Sequence, residues 1–190
     1  DHSGNGYNGG KSDPNYTGES LLFDSDNNDR AWGQGIPAQM DSSFTLALWV
    51  KPDSAMDGTC GNLIGRTKDS PAEWHDGAKA FILAADGVWF QLKGYPAVKT
   101  TTSLWDDQWH HVAATYDTTD NSVKIYVDGV QEAVKTLDLA AATEAADWYY
   151  WLSNGSGGHF TGEMKDVRIY DRTLSETDII ALYLNRASGF

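Results

Sequence analysis

Short runs of alternating apolar and polar residues recur along most of this chain. The clearest is residues 43–51, in which Phe44, Leu46, Leu48 and Val50 would share one face of a strand. Its other face is apolar too, as expected for a central strand of a two-layered sandwich. Similar runs predict further strands at 20–23, 30–32, 62–66, 79–84, 88–93, 98–103, 109–116, 122–128, 130–136, 147–152 and 162–170. The pattern therefore predicts an all-β protein.

The last predicted strand and the segment after it carry the most specific local signals. Met164, Val167 and Ile169 can all face inward only if the strand changes phase at Lys165-Asp166, which indicates a β-bulge. Ser175 is a good N-cap, Asp178 can close a capping box with it, and Leu174 can pack on Ile179. The apolar stripe Ile179, Ile180, Leu182 and Tyr183 then predicts one short helix over 175–185 that lies against another surface.

Composition narrows the classes of partner. The 190 residues, 41% of them hydrophobic, suit a single domain over 1–190 with a sizeable core. A formal net charge of −13 argues against nucleic acid or anionic lipid, which both need a cationic surface. No apolar run is long enough for membrane insertion, and the single Cys60 allows no internal disulfide. An acidic surface is compatible with a secreted or cell-surface protein.

Four segments, in order, resemble the laminin-G-like (concanavalin-A-like, pentraxin-related) jelly-roll domain family. They are FTLALWVKP at 44–52, WHHVAATYD at 109–117, VKIYVDG at 123–129 and GEMKDVRIYDRTLS at 162–175. The resemblance implies an all-β jelly-roll sandwich of two antiparallel sheets with one short C-terminal helix. It leaves the ligand open, because this fold hosts lectin modules, adhesion domains and enzymes.

Residues 1–18 give two conflicting expectations. Their composition, rich in Gly, Asn and Ser and poor in apolar residues, indicates a disordered tail. The resemblance instead implies that DHSGNG at 1–6 is an ordered loop after a first strand that this sequence lacks. On that interpretation the chain is a piece of a longer protein, or it leaves a sheet edge for a neighbouring chain to fill.

The resemblance also implies a structural calcium ion. Asp1 and Asn5 of the N-terminal loop, with Asp166 just before the last strand's VRIY, would supply oxygen ligands of the kind that Ca²⁺ prefers. The family often doubles the acidic residue before VRIY, and here Lys165 takes one of those two places. A rival position is the run Asp24, Asp26 and Asp29, although such runs are more often solvated loops.

The tryptophans are the candidate ligand-binding residues. Six of the eight lie outside the shared motifs, at positions 32, 74, 89, 105, 148 and 151. Indole rings stack on the apolar faces of sugars, and the segment 147–152 places rings on both faces of its strand. We therefore predict glycan contacts from Trp74, Trp89, Trp148 and Trp151. The alternative is that these rings fill the ends of the sandwich.

Catalytic motifs are weak by comparison. Glycoside hydrolysis needs two carboxylates in a groove, and this sequence has no acidic triplet on one strand that could supply them. His110 and His111 are adjacent in a strand, so they point to opposite faces and are predicted to be packing residues. The sequence thus favours an extracellular, non-catalytic module that binds a polysaccharide or glycan. The alternatives are an adhesive or structural subunit that contacts copies of itself or a parent multidomain protein, and third, a hydrolase or lyase.

Overall fold

In a computed structural model, residues 9–12, 14–33, 40, 42–68, 77–138, 148–153 and 158–187 are described. They form fourteen strands and one α-helix. The strands are β1 (Gly9–Ser12), β2 (Asn15–Tyr16), β3 (Leu21–Phe23), β4 (Arg30–Gly33), β5 (Phe44–Pro52), β6 (Gly61–Lys68), β7 (Lys79–Ala84), β8 (Gly87–Leu92), β9 (Val98–Lys99), β10 (His110–Asp117), β11 (Ser122–Val127), β12 (Val130–Thr136), β13 (Trp148–Leu152) and β14 (Gly162–Tyr170). The helix is α1 (Glu176–Ala187).

The strands form two seven-stranded antiparallel sheets. Sheet A has the order β1-β4-β13-β6-β7-β8-β9, and sheet B has the order β12-β11-β10-β5-β14-β3-β2. The hairpin predicted at Asp86-Gly87 joins β7 to β8, and the one predicted at Asp128-Gly129 joins β11 to β12. The all-β jelly-roll sandwich with one C-terminal helix is therefore confirmed.

The core lies between the inner faces of the two sheets. Strand β5 contributes Phe44, Leu46, Leu48 and Val50 to it, as the alternation predicts. The opposing strands of sheet A supply large side chains such as Phe81 and Phe90, which are fully buried. The outer face of β5 is buried as well, because helix α1 covers that side of sheet B.

The bulge in β14 occurs where the change of phase predicts it. Pairing with β5 shifts between Lys165 and Arg168, and Asp166 has a left-handed backbone with φ of 51°. The extra residue lets Met164, Val167 and Ile169 all pack against the core. This irregularity also turns Asp166 and Arg168 to the outer side of sheet B, where they form an ion pair at 2.9 Å.

Helix α1 begins with the predicted capping box and packs on the outer face of sheet B. Asp178 N donates to Ser175 Oγ at 3.2 Å, and Ser175 N donates to the Asp178 carboxylate at 3.0 Å. Leu174 and Ile179 are buried together against the sheet. Ile180, predicted to share that stripe, is 38% exposed, because position 180 lies a full 100° around the helix from Ile179.

The same helix covers two rings of sheet B. Tyr183 stacks on Trp49, with the ring centroids 5.8 Å apart and the planes 23° apart. His111 lies beside Trp49 at 5.5 Å and is 2% exposed, which confirms its predicted packing role. On the other side of the helix start, Thr45 Oγ1 accepts from Leu174 N and donates to Arg172 O, both at 2.9 Å. These contacts fix the helix to strands β5 and β10.

Two expectations need qualification. The strand predicted over 98–103 is only Val98–Lys99, and residues 9–16 contribute two short strands although their composition indicates disorder. Residues 1–8 and 139–147 lie outside the described residues. In the part of the chain that the structure describes, no helix has the length and apolarity needed to cross a membrane.

Gly162 offers a test of how tightly β14 packs on β5. Its φ of 133° is a conformation that L-residues rarely adopt, and a Cβ there would collide with the carbonyl oxygen of Lys51. We predict that Gly162→Ala lowers the free energy of unfolding by about 3 kcal/mol in urea denaturation. Gly58 also has positive φ, at 90°, but nothing lies within 4 Å of a Cβ there, so Gly58→Ala should cost only about 1 kcal/mol. Equal losses would contradict this packing.

His111 makes the stability depend on pH. Burial lowers the pKa of His111 to about 4, against the weaker opposing influence of Asp128 and Asp166. As the pH falls from 6.5 towards 4, the unfolded chain binds a proton at this residue that the folded chain does not. The free energy of unfolding should therefore fall by up to about 3 kcal/mol over that range because of His111.

We predict that His111→Phe, which cannot titrate, loses less stability between pH 6.5 and 4 than the wild type in urea denaturation. His110→Gln is the matched control. The hydrogen bond to Asp128 raises the pKa of His110, so this residue stabilises the folded state at low pH. Because that contribution is already largely present below the unfolded pKa of about 6.5, His110→Gln should leave the decrease between pH 6.5 and 4 close to that of the wild type. Identical pH profiles for wild type and His111→Phe would show that His111 is not buried in its neutral form.

Candidate functional site

The outer face of sheet A is the candidate ligand surface, and the pairing of its strands defines it. The neighbouring inward row, which includes Ile64, Phe81 and Phe90, packs in the core. Residues one position along each strand therefore point outward. One such outward row, read across paired strands, is Gly10, Trp32, Trp151, Gly65, Ala80 and Gln91.

Two tryptophans stand side by side near one edge of this face. The ring centroids of Trp32 and Trp151 are 5.5 Å apart, with the planes tilted by 39°. A Cβ on Gly10 would lie 2.5 Å from Trp32 Cζ2, so the indole of Trp32 lies directly over the backbone of β1. Trp151 is 7% exposed, whereas Trp32 is half-buried. Trp32 is therefore the ring of this pair that a ligand can reach.

A third tryptophan projects from the same face near the opposite edge. Trp89 is half-buried, and its Nε1 donates to Asp86 Oδ1 at 2.9 Å. Lys99, paired with Trp89 across β8 and β9, places Nζ 3.3 Å from the centroid of the indole. This cation–π contact and the hydrogen bond together hold the ring in one orientation.

The middle of the face is closed, so the two tryptophan positions are separate. Ala80 is 1% exposed and Ile82 is 5% exposed, and both lie between them. Strands β4 and β8 are four strand spacings apart in sheet A, which corresponds to roughly 19 Å. A ligand that contacts both Trp32 and Trp89 must therefore be an extended chain rather than one small molecule.

The charges on the strands of sheet A differ from those of the whole chain. The protein has 27 Asp and Glu against 14 Lys and Arg. The seven strands of sheet A contain no Asp or Glu, yet they contain six of the basic residues: Lys11, Arg30, Arg66, Lys68, Lys79 and Lys99. Arg66 and Lys79 are fully buried, whereas Arg30 and Lys99 lie on the outer face.

This distribution also bears on catalysis. A glycosidase needs two carboxylates about 5–9.5 Å apart beside the bound sugar. The strands of sheet A, within the bounds given above, place no carboxylate on this face. What the face offers is stacking, hydrogen bonding and positive charge, which are means of binding.

The other tryptophans outside the shared motifs, of which Trp74 and Trp148 are predicted ligand residues, are less informative. Trp74 lies outside the described residues. Trp148 begins strand β13 and pairs with Lys68, but its side chain is outside the described part. Trp105 is a core residue that donates Nε1–H to Ala84 O at 3.1 Å. The importance of Trp32 is a finding of the structure, although the spacing Arg30-x-Trp32 on a predicted strand would have been a usable signal.

The predicted calcium ligands are only partly described. Asp1 and Asn5 lie outside the described residues. Asp166 sits on the bulge, with its side chain 15% exposed, and its Oδ1 accepts from Arg168 Nε at 2.9 Å. No cluster of three or more metal-binding side chains occurs among the residues described. The calcium site therefore stays a prediction.

The rival acidic run serves as a turn. Asp24 accepts from Asp26 N and from Asn27 Nδ2, each at 2.9 Å. Asp29 is 3% exposed, and its Oδ2 accepts from Asp24 N at 2.9 Å. The carboxylates therefore stabilise the connection between β3 and β4 through backbone hydrogen bonds. Such self-capping is typical of Asp-rich turns.

His110 differs from the packing role predicted for it. Its Nδ1 lies 2.8 Å from Asp128 Oδ2, and its Nε2 lies 3.1 Å from Asp106 Oδ1. Asp128 Oδ1 also accepts from His111 N at 2.8 Å. The histidine thus joins the start of β10 to the turn between β11 and β12. The two histidines do point to different partners, as their adjacency in a strand predicts.

The two seven-stranded antiparallel sheets, with helix α1 on the outer face of sheet B, define a jelly-roll β-sandwich. The chain belongs to the laminin-G-type family described as the concanavalin A-like lectin/glucanases superfamily, whose family model matches residues 24–180. The resemblance seen in the four sequence motifs is therefore confirmed.

Individual relatives are distant. The adhesion G-protein coupled receptor V1 of Danio rerio is 26% identical over 165 residues, which is 80% of this chain but only 3% of the receptor. Domain 4 of the extracellular arabinanase AbnA from Geobacillus stearothermophilus, solved with arabinotriose, has a TM-score of 0.63 at 21% identity, covering 93% of this chain and 81% of that one. A heptameric pentraxin from Limulus polyphemus has a TM-score of 0.57 at 14% identity, covering 74% and 69%.

Proposed function

We propose that this protein is an extracellular, non-catalytic carbohydrate-binding module that holds a polysaccharide or glycan on the outer face of sheet A. The observation that carries the proposal is the indole of Trp32, supported from below by Gly10 and from the side by Trp151. A ring fixed in this way loses little side-chain entropy when a sugar stacks on it. Trp89, held by Asp86 and Lys99, is a second such ring.

The available surface is enough for weak binding. A half-exposed indole that gives up about 60–80 Å² of apolar surface gains about 1.5–2 kcal/mol, at about 25 cal/mol per Å². Two rings and a few hydrogen bonds can therefore reach the roughly 4 kcal/mol that corresponds to a millimolar Kd. Because the two rings are well separated, the gain from both is available only to a chain of several sugars.

The similar proteins include a domain solved with a sugar and an adhesive receptor. The arabinanase domain was solved with arabinotriose, and the zebrafish relative is an adhesion receptor. The adhesive-subunit alternative would need a joining surface. The exposed large apolar side chains of the described residues, which such a surface would use, are divided among β2, β3, β12 and helix α1: Tyr16, Leu22, Val130, Val134, Ile180 and Leu184. The strands of sheet A contain no Asp or Glu, so they offer a hydrolase no carboxylate pair of their own.

The tryptophans can be tested one at a time. We predict that Trp32→Ala and Trp89→Ala each weaken binding to a retained polysaccharide about tenfold in affinity gel electrophoresis, because each removes one stacking surface. Trp109→Ala is the matched control. Trp109 is also half-buried and lies under a lysine, with Lys165 Nζ 4.0 Å from its ring, but it precedes β10 of sheet B. Equal losses in all three variants, or unchanged binding in the first two, would contradict this site.

We also propose that the module holds a structural calcium ion with Asp166 as one ligand and Asp1 and Asn5 as the others. The bulge that turns Asp166 outward and its largely buried carboxylate support this role. The ion would stabilise the folded state by mass action, by about 2.7 kcal/mol at 100 times its Kd. We predict that a chelator lowers the melting temperature of the wild type by several degrees, and that Asp166→Asn removes this response. A melting temperature indifferent to calcium and chelator would exclude the ion.

A further inference from the structure

We infer that the saccharide bound on the outer face of sheet A is acidic, carrying carboxylate or sulfate groups that Arg30 and Lys99 recognise beside the two tryptophans. This inference rests on the proposed function and adds the class of ligand. It begins from Arg30, which projects from β4 two residues before Trp32 and on the same side of the strand.

Arg30 is anomalous for a protein with this charge. Acidic residues outnumber basic ones by 27 to 14, so an arginine readily finds a carboxylate. The side chain of Arg30 nevertheless forms no hydrogen bond or ion pair with the residues that the structure describes, and its Nε is buried without an acceptor. Arg30 as a whole is only half-buried, so an anionic oxygen can approach the terminal nitrogens of its guanidinium and supply the partner that the charge lacks.

The distance from Arg30 to Trp32 suits one sugar residue. Two positions along a strand are about 6.6 Å apart, so a pyranose stacked on the indole brings its substituents within reach of the guanidinium. The planar fork of an arginine binds a carboxylate through two parallel hydrogen bonds, and it also binds the oxygens of a sulfate ester. Arg30 and Trp32 together therefore suit a sugar ring that carries an anionic group.

The opposite edge of the face repeats this arrangement. Lys99 is exposed, and its Nζ lies 3.3 Å from the centroid of Trp89. Both accessible tryptophans of the outer face thus have a cation beside them. The strands that carry them contain no Asp or Glu, although Asp86, in the turn between β7 and β8, accepts from Trp89 Nε1 at 2.9 Å. Two cation–tryptophan pairs roughly 19 Å apart fit an extended acidic polysaccharide.

The net charge of −13 opposes such a ligand only at long range. At about 0.15 M ionic strength the Debye length is about 8 Å, so most of that repulsion is screened while direct contacts persist. The affinity for an acidic saccharide should therefore increase from very low salt to physiological salt. A protein that bound polyanions through a broad basic surface would show the opposite trend.

The test uses affinity electrophoresis and calorimetry of the whole chain with polygalacturonate, a sulfated galactan and neutral arabinan. We expect Arg30→Gln to weaken binding to at least one acidic polymer about 10- to 100-fold and to leave any binding of arabinan unchanged. Arg30→Lys should retain part of the affinity, and Lys99→Gln should weaken it less than Arg30→Gln does. The matched control is Arg172→Gln, which removes an exposed arginine beside helix α1.

The outcomes separate this inference from the proposed function. A loss in Arg30→Gln for polygalacturonate alone identifies a uronic acid, and a loss for the galactan alone identifies a sulfated sugar. The inference is overturned if the wild type binds only arabinan, or if Arg30→Gln binds the acidic polymers with the same affinity as the wild type. In either case the proposed binding module stands. If the wild type binds none of the three polymers, both fail.

Discussion

The docking of helix α1 on sheet B decides which surface of the sandwich is left for a ligand. Trp49, His111 and Tyr183 pack together beneath the helix, and Thr45 anchors the segment that leads into it. The central strands of sheet B are therefore buried on both faces. Among the described residues, sheet A carries no helix on its outer side, and the rings of Trp32 and Trp89 there are half-buried. The fold thus buries the outer face of sheet B beneath the helix, and the proposed binding site lies on the other sheet.

The second consequence concerns charge. An acidic protein could be expected to reject acidic ligands, yet net charge describes a long-range field and not the chemistry of one face. The carboxylates here lie mainly in turns and loops, where they cap backbone amides, as Asp24 does for Asp26 N. The strands of sheet A are free of them, and among the described residues no carboxylate pairs with the side chain of Arg30 beside Trp32, whereas Asp86 lies beside Trp89 and Lys99.

The sequence predicted the architecture well because its signals are local. Alternation located β5, the change of phase at Lys165-Asp166 located the bulge, and Ser175 with Asp178 located the start of the helix. The site was predicted less completely, since its geometry depends on pairing between distant strands. Nothing local shows that Gly10 lies beneath Trp32, or that Trp151 is covered while Trp32 is accessible. Which of the eight tryptophans is accessible depends on the tertiary structure.

The most direct test of the account follows the indole N–H signals of the eight tryptophans by NMR while a soluble oligogalacturonate, or a sulfated galactan oligomer, is added. The signals of Trp32 and Trp89 should shift together, and the shifts should saturate as the oligomer is added. The signals of Trp49, beneath the helix, and Trp105, in the core, should stay unchanged. Saturable binding that shifts neither Trp32 nor Trp89, or that shifts the tryptophans of sheet B instead, would contradict it.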